Sequence, residues 1–217
     1  NPVYRLFQSE LETVYEEKNR AMDNAFRVLF DKFFENFFKK HPYGQQNIIG
    51  TKEHLKNPSI RKMKEYYDQY YVANNMYLLL AGDFDANSIK SKIDKTFGKL
   101  DSGPEPSFVS IDEDPFNGRE VVTKRLTPIR FGMLGFRMPK PRHEDNITIN
   151  VIQNIFNNSG ATGLLDRLSV ENKLLGSSSI SGLGGADHGA MGFLFIPKLL
   201  FQTFKGAENA VIKEIEK

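Results

Sequence analysis

Cysteine is absent from the 217 residues, which excludes a disulfide framework, a thiolate nucleophile and any cysteine-based zinc site. Histidine is scarce: there are only His41, His54, His143 and His188, so a metal would have to be held by these and by carboxylates. An excess of one charge is missing too. Twenty-nine Lys and Arg against 27 Asp and Glu leave a net charge of +2, too balanced to point to nucleic acid or an anionic membrane as a partner. The longest apolar run, Met76 to Ala81, is far shorter than the roughly 20 residues that a bilayer requires. The first residues lack the basic-then-apolar order of a signal peptide. The Ser- and Gly-rich stretch 177–189 contains no Gly-Lys-Ser or Gly-Lys-Thr signature for phosphate, and no Gly-x-Ser-x-Gly nucleophile elbow occurs anywhere. What is present, 40% apolar residues with 12% aromatics, fills one large domain or two small ones. The absence of cysteine suits cytoplasm and periplasm alike, so the compartment is not legible.

Apolar residues recur at helical spacing from Leu6 to Lys40, with Phe26, Phe30, Phe33, Phe34, Phe37 and Phe38 forming an aromatic stripe that Pro42 and Gly44 terminate. This predicts one long helix or two abutting ones, with the stripe in a core. A helix is expected over 59–71, a buried strand over 76–81, and an amphipathic helix over 86–100 carrying Ile89, Ile93 and Phe97. Residues 101–118 turn to proline, glycine and acids and read as a linker. Beyond it, Val121–Val122 and Ile129–Phe136 are expected strands. Residues 146–157 and 164–170 are expected helices. Residues 177–185 and 190–196 form a hairpin around 186–189, and a helix covers 203–217. The fold class is α+β, a sheet backed by helices, in parts of two similar domains: 1–103, a linker at 104–118, and 119–217. The opening Asn1-Pro2 and a stop within a helical pattern lead us to expect a piece of a longer polypeptide.

Glu10 and Glu17 are seven residues apart, close to two helical turns, so one helix presents both carboxylates on one side roughly 10 Å apart along its axis. From spacing alone they read as solvated carboxylates on a charged helix, and spacing does not establish a metal site. His41 precedes Pro42 at a helix exit and reads as a cap or packing residue. His54 reads as solvent-facing, His143 as the start of a helix, and His188, beside Asp187, as a turn residue that could also touch substrate.

The run Glu10 to Glu17 followed by Asn19, Arg20, Asp23 and Asn24 resembles the helix that supplies the third metal ligand in the insulinase and pitrilysin family of zinc metallopeptidases, to which mitochondrial processing peptidase is related. Further landmarks follow in order. His41-Pro42-Tyr43-Gly44 with Ile49-Gly50-Thr51 is similar to that family's HPYG and IGT stretch. Tyr66 to Tyr71 with Asn74-Asn75-Met76 is similar to its YY.PNNM segment, although Ala73 replaces the usual proline, and Gly82 to Asp85 matches its GDFD end. Residues 160–168 and 171–174 resemble, more weakly, the stretch that opens the hairpin of the next family domain.

The resemblance implies a zinc-dependent peptidase acting on peptides or unfolded polypeptides, with Zn2+ as cofactor, Glu17 as metal ligand and Glu10 as a second, supporting acid of the catalytic centre. It names no substrate-binding residue here. The inverted His-x-x-Glu-His motif, which in the family gives two zinc-binding histidines and the general base, is absent from this sequence. The chain alone is therefore expected to be inactive. Its expected partners are a peptide substrate and either the remaining half of the same polypeptide or a homologous subunit, with no nucleic acid and no membrane segment. The competing expectation is a noncatalytic family-like subunit that binds peptide or scaffolds an active partner.

Overall fold

The computed structural model describes residues 5–107, 109–125 and 130–217. The chain divides into two compact units, one of Asn1–Glu16 with Gly50–Ser110, the other of Glu17–Ile49 with Ile111–Lys217.

The predicted amphipathic stretch near the start resolves into two helices, α1 (Phe7–Asp23) and α2 (Ala25–Phe37). Asn24 sets the break. Its side chain accepts hydrogen bonds from the amides of Phe26 and Arg27 at 3.0 and 3.1 Å, satisfying two donors that a new helix leaves open. Helix α3 (Pro42–Gln45) is a single turn.

In the first unit, α4 (Lys52–Lys56) and α5 (Ile60–Tyr70) are capped by Thr51 and Ser59, and α6 (Ala86–Thr96) by Asp85, whose carboxylate accepts from the Ser88 amide at 2.7 Å. The Asn74 side chain clasps both the amide and the carbonyl of Gly103 at 2.9 Å, tying 100–104 beside buried Val72. The expected buried strand at 76–81 is not observed. The segment pairs with no strand among the described residues, and its side chains are exposed.

The second unit is built on a three-stranded antiparallel sheet of order β1–β3–β2, with β1 at Gly132–Met138, β2 at Gly176–Gly184 and β3 at Gly189–Ile196. The hairpin β2–β3 falls where alternation and the 186–189 turn predicted it. Strand β1 begins later than expected and runs two residues further, Ile129 lies outside the described residues, and Val121–Val122 forms no strand. Central β3 reads as a nearly unbroken apolar run because it is buried on both faces. Met191, Phe193 and Phe195 face a core made with Phe156 of α7 (Asn146–Phe156), Leu165 and Leu168 of α8 (Leu164–Val170), Leu174, and Ala207 and Val211 of α9 (Phe204–Ile215). Ala190 points the other way, into a second cluster with Phe37 and Phe38, which Phe33, Phe34, Tyr43 and Phe116 border. The later part of the phenylalanine stripe is thus core, Phe37 and Phe38 being buried with Phe33 and Phe34 against them, whereas Phe26, expected in the same core, is 47% exposed. The buried part lies close because Gly135 leaves room: a Cβ there would meet the Phe33 ring at 2.3 Å.

Candidate functional site

Both sequence-predicted site residues, Glu10 and Glu17, sit on α1 with exposed side chains, and neither makes a side-chain hydrogen bond or ion pair among the described residues. Glu10 belongs to the first unit and Glu17 to the second. No histidine joins either carboxylate in a ligand-spaced group among the described residues. A catalytic zinc needs about three protein ligands. The residues present therefore do not complete a zinc centre, and no chemical step can be routed through one here.

Among the described residues, the grouping of three that meets metal-ligand spacing lies elsewhere: His41, Asp187 and His188 have donor atoms within 4.8 Å of one another. The sequence did not reveal this cluster, because 146 positions separate His41 from Asp187. Its hydrogen bonding shows what it does. His41 is the N-cap of α3, its Nδ1 accepting the Tyr43 amide at 3.2 Å, so the ring proton resides on Nε2, which donates to Asp187 Oδ2 at 3.0 Å. The Tyr43 hydroxyl donates to the other oxygen of Asp187 at 2.7 Å. His188 Nε2–H donates to the Ile111 carbonyl at 2.7 Å. A metal at His41 Nε2 would have to displace that proton to Nδ1 and break the cap, so this donor set does not suit a metal. It is a latch that ties the His41-Pro42-Tyr43-Gly44 segment to the turn of the β2–β3 hairpin.

The electrostatics agree with a latch. Burial alone would raise the Asp187 carboxyl, but the hydrogen bonds from the Tyr43 hydroxyl and His41 Nε2–H outweigh it and hold Asp187 below the usual carboxylate range. Burial first, and the Asp187 charge next, push the Tyr43 phenol up. Gly44 is required by close approach, since a Cβ would lie 2.2 Å from the Phe38 carbonyl oxygen and 2.3 Å from that of Phe34.

A second anchor comes from the stretch read as a linker. Glu113 is almost wholly buried, its side chain 3% exposed, and accepts from the backbone amides of Lys39, Lys40 and His41 at 3.0, 2.7 and 2.6 Å. Those amides follow the end of α2. Burial opposes the charge, yet the three amides and the Arg137 guanidinium hold the Glu113 carboxyl below its ordinary value. Arg137 reaches Glu113 at 3.4 Å and the Phe37 carbonyl at 2.8 Å, and its guanidinium lies 4.9 and 4.8 Å from the Phe37 and Phe116 ring centres. Among the described residues its Nε and Nη1 have no hydrogen-bond partner, and the aromatic faces compensate part of that cost.

The other histidines take local roles. His54 is exposed, as expected, and closes a capping box with Thr51. His143 Nδ1 accepts the Asp145 amide at 3.2 Å just before α7.

The second unit is an α+β arrangement whose antiparallel sheet carries helices on one face and a phenylalanine-bearing helix on the other. This is an α+β fold, a sheet backed by helices, and among the described residues it completes no zinc centre. Residues 59–217 match the family described as "Peptidase M16 inactive domain". The chain belongs to the peptidase M16 family, the insulinase-type zinc proteases. It is 24% identical over 180 residues to the zinc protease PqqE of Helicobacter pylori, covering 81% of this chain and 40% of that protein. It is 24% identical over 145 residues to the mitochondrial-processing peptidase subunit beta of Caenorhabditis elegans, covering 66% of this chain and 31% of the other. The crystal structure of a protease from Helicobacter pylori superimposes with a TM-score of 0.80 at 21% identity, over 98% of this chain and 52% of that one. The chain thus spans about two fifths of PqqE and about half of the solved protease.

Proposed function

We propose that the chain is part of a zinc-dependent metalloendopeptidase that hydrolyses peptides or unfolded polypeptides, with Glu17 as a zinc ligand and Glu10 as a supporting acid. Alone it is inactive, because the two histidines and the general base of such a centre are not among its residues. The observation that carries this reading is that Glu10 and Glu17, seven residues apart on α1, are exposed and, among the described residues, make no side-chain hydrogen bond or ion pair, whereas Glu12 between them accepts from Gln8 at 3.0 Å. Two carboxylates kept free of competing bonds remain available to an ion whose other ligands come from elsewhere. The remaining ligands are supplied by the rest of the same polypeptide or by a homologous subunit. On this reading 1–103 is the rear part of the zinc-site domain, 104–118 the connection, and 119–217 the front part of a second domain.

The test is zinc content and cleavage of a quenched peptide by the parent protein, beside its Glu17→Gln variant. About one zinc per chain and cleavage, both lost in the variant, are expected. A parent that neither binds zinc nor cleaves would leave a noncatalytic, peptide-binding or scaffolding subunit, the reading that the match to an inactive domain favours.

A further inference from the structure

We propose that Asn117 is a modification site, at which the side-chain amide is lost spontaneously to water and the chain passes to aspartyl and isoaspartyl forms. The inference is independent of the protease reading, since it uses only the loop between Phe116 and Arg119 and the anchors on either side of it.

Three asparagines precede a glycine or a serine, residues small enough to let the following backbone nitrogen approach the carboxamide: Asn87, Asn117 and Asn158. The fold separates them. The Ser88 amide, which would have to attack Asn87, is fixed at the start of α6 and donates to Asp85 Oδ1 at 2.7 Å. The Asn158 carboxamide is held at both ends. Its Oδ1 accepts from the Gly160 and Thr162 amides at 3.0 and 3.3 Å, and its Nδ2 donates to the Asn154 carbonyl at 3.3 Å. Asn117 has neither restraint. It is exposed and outside helix and strand, and among the described residues neither its side chain nor the Gly118 amide makes a hydrogen bond. Gly118 adopts φ +84° with nothing within 4 Å of where a Cβ would stand, so the backbone around the pair is free to turn.

The chemistry needs only water. Hydroxide removes the Gly118 amide proton, the nitrogen forms a bond to Asn117 Cγ, and the Cγ–Nδ2 bond breaks as ammonia leaves. Water then opens the cyclic imide at either carbonyl, which yields the aspartyl or the isoaspartyl form. Both sides of the loop are tied down. The Phe116 ring centre lies 5.4 Å from that of Phe37, Arg119 pairs with buried Glu208, and Glu120 receives Lys39 Nζ at 2.6 Å. The isoaspartyl form routes the backbone through the side chain and lengthens it by one carbon between these anchors. Either form adds a carboxylate to a stretch that already holds Asp112, Glu113, Asp114 and Glu120. Modification therefore loosens the strap that seats Glu113 on the α2 exit.

Peptide mapping by mass spectrometry of the folded parent protein at mildly alkaline pH, beside the same protein in urea, tests this. Amide loss at position 117 is expected within about tenfold of its unfolded rate, and at Asn87 and Asn158 at least about 100-fold slower than their unfolded rates. The rate at 117 should rise about tenfold per pH unit, following hydroxide, and an isoaspartyl methyltransferase should label that peptide. Aged wild type should melt a few degrees lower than fresh protein. Asn117→Gln, whose longer side chain closes the ring far more slowly, should keep its melting temperature on ageing. Equal protection of all three asparagines in the folded protein overturns the proposal, as does amide loss at 117 confined to urea. Modified protein that melts with fresh wild type overturns the loosening of the strap.

Discussion

Removing the carboxylate of Glu113 should be among the most damaging single changes in the second unit. Glu113→Ala deletes three charge-assisted bonds to the amides of Lys39, Lys40 and His41 and strips Arg137 of its anion. Hydrogen bonds to a charged group are each worth about 1.5–3 kcal/mol, and breaking a buried charged pair by deleting one partner costs about 3–5 kcal/mol. Two of the three amides belong to residues with exposed side chains and can recover water, so the total falls short of a simple sum, at about 4 kcal/mol. For a protein of this size that lowers the melting temperature by about 10 °C. Glu113→Gln should cost about half as much, roughly 2 kcal/mol. Its oxygen can keep the Lys40 and His41 bonds, while its amide nitrogen faces the Lys39 N–H and Arg137, donor against donor. Urea unfolding followed by far-UV circular dichroism measures these differences, and exchange at the Lys40 and His41 amides locates them. The sign with pH is fixed as well. The folded carboxyl lies below its unfolded value, so its contribution is present above the unfolded value near 4.5 and is lost as pH falls through the folded one. Glu113→Gln should therefore flatten part of the acid limb of stability. A loss under about 1 kcal/mol for Glu113→Ala, with unchanged exchange at Lys40 and His41, would refute the clamp.

Asp187→Asn should cost about 2 kcal/mol, since the amide leaves either His41 or Tyr43 facing a donor. Its stabilisation in the wild type should likewise fade as acid protonates the depressed carboxyl, which a pH series of urea midpoints would reveal. Gly44→Ala should cost about 3 kcal/mol, because the new methyl collides with backbone oxygens of Phe34 and Phe38 that no rotamer change can move. A thermal melt of that variant within one or two degrees of wild type would contradict the close approach.

The parts of the fold that the sequence made legible are those dictated by local periodicity and capping. Ser59 announces a helix start chemically and the alternation around 186–189 fixes a hairpin, whereas the Asn24 cap that divides the first helical run in two emerges only in the structure. Less legible were features decided by distant partners. Met76 to Ala81 has the composition of a buried strand, yet burial depends on neighbouring strands that its own residues cannot supply. Residues 111–116 look like linker because acids and prolines dominate them, and only the folded chain shows Glu113 seated on the α2 exit. At the candidate site, Glu10 and Glu17 could be singled out by spacing and family likeness. Nothing in the sequence near His41 discloses that Asp187 holds it, because that pairing is made by the sheet and not by a motif.

The strand order β1–β3–β2 carries a consequence for how the second unit assembles. Only a short turn joins β2 to β3, so this hairpin closes a small loop, whereas β1 must return across the 50 residues between Met138 and Gly189. Loop-closure entropy therefore favours the hairpin forming first, with β1 arriving as a late guest on the most apolar strand in the chain. Until it arrives, the far edge of β3 stands open, and a nascent or heated chain will be most prone to stick to its neighbours there.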